Sequence, residues 1–92
     1  MSSSSVRGPI TIRWERRALK EAASLPKADR LKVLAAVESL TEKPLRGECL
    51  SGQWKGMRRL RVGYVRVIYA FDGRSLLILV LRVRHRREVY KA

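Results

Sequence analysis

The chain predicts a small α+β domain of order β-α-α-β-β-β, a twisted, mainly antiparallel sheet with two N-terminal helices packed on one face. Three observations lead there. The apolar period is two up to Trp14, helical from Glu15, and two again from Met57. Turn signals at Gly63 and at Asp72-Gly73 divide the second half into three successive strands. The 92 residues, 46% of them hydrophobic, suffice for one core and one domain spanning 1–92, near the lower size limit for a self-sufficient fold.

The Ser-rich start, with residues 1–8 expected to be disordered, carries no apolar stretch of the kind a secretory signal needs. Ile10-Thr11-Ile12-Arg13-Trp14 alternates and reads as a short strand. Trp14, Ala18, Ala22 and Leu25 then recur at helical spacing, giving a first helix to about Leu25. Pro26 interrupts it and suits the first turn of a second helix, because its fixed φ fits there and its missing N–H is not needed. That second helix covers Lys27 to Glu42, with Val33, Leu34, Val37 and Leu40 on one apolar face and Leu31 and Ala35 off it. Pro44 and Gly47 end the helical stretch, and Leu45 to Lys55 reads as a loop. Met57 to Val62 alternates, Gly63 permits a tight turn, and Tyr64 to Phe71 forms the next strand with Val65, Val67, Tyr69 and Phe71 on one face. After Asp72-Gly73, Ser75 to Arg84 is apolar on both faces at its middle, as a covered, central strand should be.

The charge is large and lopsided. The net is +13, from 21 Lys and Arg against 8 Asp and Glu. Residues 1–54 carry +4 and residues 55–92 carry +9. Self-repulsion at this density disfavours a compact small domain, so a polyanion or an acidic protein partner is expected, with the polyanion surface in the second half. One cysteine, Cys49, excludes an internal disulfide, and one histidine, His85, argues against a histidine-built metal site. No metal or small-molecule cofactor is expected. The longest apolar run, Leu76 to Leu81, falls far short of the roughly 20 residues that span a bilayer. The chain is expected to be soluble and cytoplasmic, without a membrane partner.

The most informative segment is His85-Arg86-Arg87-Glu88-Val89-Tyr90, directly after the apolar strand. Upstream stand Leu60-Arg61-Val62-Gly63, then Arg66-Val67-Ile68-Tyr69, then the Asp72-Gly73 turn. In this order and spacing the motifs resemble the RelE/ParE superfamily, toxins of prokaryotic type II toxin–antitoxin pairs, over about residues 9 to 91. The RelE branch cleaves messenger RNA in the ribosomal A site; the ParE branch poisons DNA gyrase and generally lacks the basic and phenolic C-terminal set. This chain has that set and so looks like the RelE branch. It departs from the family pattern at Tyr64 and Val65 after the turn glycine, at Arg84 where glycine often precedes the histidine, and at Met57, Arg59 and Arg61, where lysines are common.

The resemblance implies a ribosome-dependent mRNA endoribonuclease. Its partners would be the ribosome, messenger RNA and a cognate acidic antitoxin. RNA cleaves itself when a 2′-OH attacks the adjacent phosphate; a catalyst removes the 2′ proton, stabilises the phosphorane and protonates the 5′ oxygen. The expected catalytic set is Arg66, His85, Arg86 and Tyr90, with Arg59, Arg61, Arg84 and Arg87 holding RNA. Arginine forks match phosphate oxygens bidentately and hardly lose a proton, so Arg66 and Arg86 read as electrostatic stabilisers. Tyr90 is the candidate base: a free phenol titrates near about 10, and neighbouring cations such as Arg86 and Arg87 favour the phenolate. It could equally stack on a base or anchor the C-terminus. His85, as an imidazole, is the other acid–base option or a structural residue. Arg59 and Arg61 are phosphate ligands or a solvated strand face. Trp14 and Trp54 stack on bases or pack, Tyr69 is core, and Cys49 a neutral loop residue. Two other functions fit the composition. A gyrase-binding toxin has no need of both Arg86 and Tyr90, and a non-catalytic nucleic-acid module would bind in a salt-sensitive way that survives loss of Tyr90.

Overall fold

A computed structural model of the protein describes residues 9–85. Strand β1 (Thr11–Trp14) leads into helices α1 (Arg16–Ala23) and α2 (Lys27–Ser39), a two-residue strand β2 (Glu48–Cys49), a 3-10 turn (Gly52–Trp54) and the meander β3 (Arg58–Val62), β4 (Val65–Asp72) and β5 (Leu77–His85). The class and plan are those the sequence predicts. The sheet has five strands in the order β1-β5-β4-β3-β2. β1 runs parallel to β5, and every other pairing is antiparallel. β5 is an interior strand, but only one of its faces is fully covered: Ile78, Val80 and Val83 are buried, while Leu77, Leu79 and Leu81 are half-buried.

The core lies between the helices and one sheet face. Ala18 and Ala22 of α1, Leu25 after it, and Val33, Val37 and Leu40 from α2 and its end meet Leu60, Val65, Val67, Tyr69, Ile78, Val80 and Val83. Each large apolar side chain buried in this way contributes about 1.5–3 kcal/mol before the entropy of ordering it is subtracted. Leu34 departs from expectation: it is 41% exposed. Val33, Val37 and Leu40 hold the inward line, and Leu34 is rotated about 100° from Val33, beyond the narrow stripe that this small sheet covers. Leu31 and Ala35 are exposed, as their positions off the apolar face predict. α2 ends at Ser39, three residues early. The Ser39 hydroxyl donates to the Ala36 carbonyl at 2.6 Å and that of Thr41 to the Glu38 carbonyl at 2.8 Å, local bonds that compete with helix continuation.

The turns differ in kind. Val62 pairs with Val65 across a two-residue turn in which Gly63 takes φ +60°, a conformation glycine reaches without strain. The Asp72-Gly73 signal marks a hairpin, but a longer one: Asp72 pairs with Leu77 across four residues. There the Asp72 carboxylate accepts the Arg74 N–H at 2.9 Å, and Leu76 takes the positive φ (53°) expected of a glycine.

The predicted loop Leu45 to Lys55 contains β2, too short to leave a periodic signal. A buried phenol fixes its approach. The Tyr69 hydroxyl donates to the Pro44 carbonyl at 2.8 Å and accepts the Gly47 N–H at 2.9 Å. Burial pushes this phenol up, so it remains a protonated donor. A Cβ on Gly47 would stand 2.8 Å from the Arg59 carbonyl and 2.9 Å from the Tyr69 hydroxyl, so this glycine serves close approach as well as helix termination. Tyr69→Phe leaves the Gly47 N–H and the Pro44 carbonyl unpaired and is expected to cost about 1–3 kcal/mol, read as a lower urea midpoint at unchanged m-value.

A carboxylate that sequence reading passed over ties α1 to β5. β1 stops opposite Val80, so beyond it that edge of β5 has no strand partner among the described residues. Glu21 covers that edge. It accepts the Val83 N–H at 2.8 Å and a fork from Arg82, with Nη2 at 2.7 Å. Burial disfavours the charged carboxylate, but the bonds from Arg82 and Val83 outweigh it and hold Glu21 below the ordinary carboxylate range. A depressed folded pKa contributes stability above the unfolded value that is lost as pH falls through the folded one. Glu21→Gln should therefore lower the melting temperature by on the order of 5 °C at neutral pH. The gap to the parent should close as the pH falls below about 4. A gap that is constant across thermal melts from pH 3 to 7 would contradict this assignment.

Candidate nucleic-acid interface

Strand alternation separates two sets of side chains. Leu60, Val65, Val67 and Val83 are buried toward the helices. Arg61, Arg66 and Arg84, on the other parity, stand on the opposite face. Arg61 lies directly across from Arg66, and Arg66 directly across from Arg84. Three arginines thus form one row over β3, β4 and β5. Arg59, two positions before Arg61, shares their face opposite Ile68. Like charges placed directly opposite on a sheet are destabilising, so stability alone does not account for the row. Guanidinium forks from three strands, at strand spacing on one face, have the chemistry to receive an anion.

The segment from Leu50 to Met57 walls one side. The Leu50 N–H donates to the Met57 carbonyl at 3.0 Å, and the Met57 N–H to the Trp54 carbonyl at 3.0 Å, closing a compact loop. Gly52 and Gly56 take φ of +67° and +91°, which lets the chain turn back so tightly. Between this loop and the sheet is a cavity of about 320 Å³. Leu50, Gln53 and Trp54 line it from the loop; Arg59, Arg66, Ile68 and Arg84 line it from the sheet. Most of the surface it presents is apolar, so the arginines contribute their aliphatic stems as well as their charged heads.

A second carboxylate missed in the sequence pairs with one of the lining arginines. Glu48 of β2 lies across from Arg59 and forms an ion pair with its guanidinium. That hydrogen bond, then the charges of Arg59, Arg61 and Arg66, hold the exposed Glu48 below the ordinary carboxylate range. The Arg59 Nε is buried with no hydrogen-bond partner among the described residues. Arg58, by contrast, is spent on the fold: its Nη1 donates to the carbonyls of Leu45 at 3.1 Å and Gly47 at 2.7 Å.

Of the expected site residues, Arg59, Arg61, Arg66 and Arg84 are therefore brought together. His85 pairs across the ladder with Val65, which places it by alternation on the face opposite Arg84 and apart from the row. Arg86, Arg87 and Tyr90 lie outside the described residues. Cys49 is exposed and sits in β2 rather than in a loop. Among the described residues no helix is long and apolar enough to cross a membrane.

Residues 12–90 match the family model described as the ParE toxin of the type II toxin–antitoxin system parDE. A curated relative, Toxin RelG of Mycobacterium tuberculosis, is 32% identical over 89 residues, covering 90% of this chain and 98% of RelG. The structure of the toxin–antitoxin complex RelBE2 from the same organism contains a chain with 32% identity and a TM-score of 0.70, covering 85% of this protein and 99% of that chain. The archaeal RelE–RelB complex of Pyrococcus horikoshii aligns at 26% identity and a TM-score of 0.73, with 84% and 94% covered. Isolated RelE of Escherichia coli, at 22% identity and a TM-score of 0.72, shares the fold over 89% of this chain and 92% of its own. The family model carries the ParE name and these relatives the RelE or RelG names; the two belong to one superfamily. This chain belongs to the RelE/ParE superfamily of toxins from type II toxin–antitoxin systems.

Proposed function

We propose that the protein is a ribosome-dependent mRNA endoribonuclease whose arginine row receives the scissile phosphate. The observation that carries this is the direct alignment of Arg61, Arg66 and Arg84 on the open sheet face. Arg66, central in the row, stabilises the developing charge together with Arg86; Arg59, Arg61, Arg84 and Arg87 hold the flanking backbone. Tyr90 accepts the 2′ proton, with His85 as the alternative acid–base group. The 2′ oxygen bonds to phosphorus as the bond to the 5′ oxygen breaks; the leaving oxygen takes up a proton, from Tyr90 after it has accepted the 2′ proton or from water, and a cyclic phosphate remains, so no metal enters the proposal. A 92-residue domain offers little to orient a flexible single strand. The ribosome supplies that order in the A site, an entropic gain of up to several kcal/mol of barrier.

An acidic antitoxin is the proposed protein partner, by analogy with the RelBE2 and archaeal RelE–RelB complexes. The net charge of +13 calls for an acidic chain, and Leu31 and Ala35 on the outer side of α2 offer it apolar contacts. Primer extension on translated messages tests the nuclease reading. Strong stops in A-site codons, with little cutting of naked RNA, are expected; equal cutting of both would refute ribosome dependence. The match to the ParE model favours one other reading, inhibition of DNA gyrase by binding. A supercoiling assay separates the two.

A further inference from the structure

We infer that the cavity beside the arginine row is a nucleobase pocket, with Trp54 as its stacking platform and Gln53 as the group that reads the base edge. The inference rests on the proposal that RNA is the ligand of this face. Its own ground is the make-up of the cavity. An anion groove needs only cations and water, yet here Trp54, Leu50 and Ile68 put an apolar wall directly against Arg66 and Arg59. The volume of about 320 Å³ is at the low end for small-ligand sites and suits one flat ring system, not an extended peptide. Single-stranded RNA has this combination in each nucleotide: a planar face that stacks on indole, joined to a phosphate for a neighbouring guanidinium. The charge favours it over an antitoxin side chain, because an apolar residue of an acidic protein leaves Arg66 and Arg84 without a phosphate to meet.

The platform is fixed in advance. Trp54 closes the 3-10 turn, and its carbonyl is held by the Met57 N–H at 3.0 Å. It is half-buried, so it presents indole surface without being part of the core. Gln53 precedes it, is exposed and lines the same cavity. Its carboxamide both donates and accepts, and so can pair with a base edge in a way that apolar walls cannot. The pocket would thus set which nucleotide lies beside the cleaved bond.

Trp14 is the one other tryptophan, and Trp14→Phe makes the emission report on Trp54 alone. Titration of that full-length variant with a short 2′-O-methyl RNA, which cannot be cleaved, should quench the emission. The same strand with one abasic site should bind with roughly 5- to 150-fold lower affinity, the range that loss of one stacked base implies. In ribosome assays, Trp54→Leu should slow cleavage by a similar factor and Trp54→Phe should restore most of it. Gln53→Ala should redistribute the cleavage positions, and positions unchanged from the parent would remove Gln53 from the reading of the base. Circular dichroism confirms that each variant is folded. Unchanged emission with RNA, equal affinity for the abasic strand, or quenching by an acidic apolar peptide but not by RNA would each overturn the pocket. These readouts are independent of the nuclease reading. Base-dependent quenching without any cleavage sinks the nuclease and leaves the pocket; normal cleavage by Trp54→Leu at unchanged positions sinks the pocket and leaves the nuclease.

Discussion

Tyr90→Phe is expected to slow cleavage of A-site messenger RNA by roughly 10²–10⁴-fold, the usual contribution of a positioned acid–base group. The substitution keeps the ring, and with it any stacking, and removes only the hydroxyl. Ribosome affinity should barely change, because every cation remains. Single-turnover cleavage on programmed ribosomes, set beside a binding titration, separates the two quantities. His85→Gln is the matched control. His85 lies by alternation on the other face from Arg84, so its loss should cost far less than that of Tyr90. A fast Tyr90→Phe with a dead His85→Gln would move the base to His85. If neither change matters and toxicity persists, the gyrase reading takes over.

Arg66→Ala should carry the second largest effect, a loss of about 10²–10³-fold in rate, as for removal of one preorganised donor to a developing oxyanion. The same change should make the free protein more stable. Arg66 is flanked directly by Arg61 and Arg84, and opposed like charges on a sheet cost about 0.2–1 kcal/mol per pair. Activity and melting temperature should therefore move in opposite directions, and the gain in melting temperature should shrink as salt is added. An Arg66→Ala variant that is less stable and fully active would mean that the row is structural and that the phosphate binds elsewhere.

Much of this was legible in the sequence, for a local reason. Leu60-Arg61-Val62 and Val65-Arg66-Val67 alternate, so the parity that puts Leu60 and Val67 inside also puts Arg59, Arg61 and Arg66 outside. Once Gly63 fixes the turn, Arg61 must face Arg66. What was not legible has no local signature. Glu21 and Val83 are 62 positions apart, and nothing near Glu21 marks it as the residue that covers a strand edge. Glu48 sits in a two-residue strand, too short for any period, that directly follows the Gly47 held by the Tyr69 hydroxyl. Leu34 looked internal because periodicity reports which residues align on a helix, not how wide a stripe the rest of the fold covers. The cavity wall is the clearest case. Trp54 and Ile68 are ordinary apolar residues until the tertiary fold sets them beside Arg66.

The place of β5 in the sheet bears on how this toxin is made. β5 is the last strand in the described chain, yet it lies between β1 and β4, pairing Thr11 with Leu77 and Val67 with Val83. While a nascent chain emerges, β1, both helices, β3 and β4 are available, but β1 has no neighbour until Leu77–His85 has been synthesised. Arg84 arrives with the same strand, so the arginine row and the sheet are completed together. Partial chains should therefore remain unfolded and harmless, and folding should depend on closing a contact of long sequence separation, which is slow. On the proposed function, that delay would give a newly made antitoxin time to bind the chain before the arginine row is assembled.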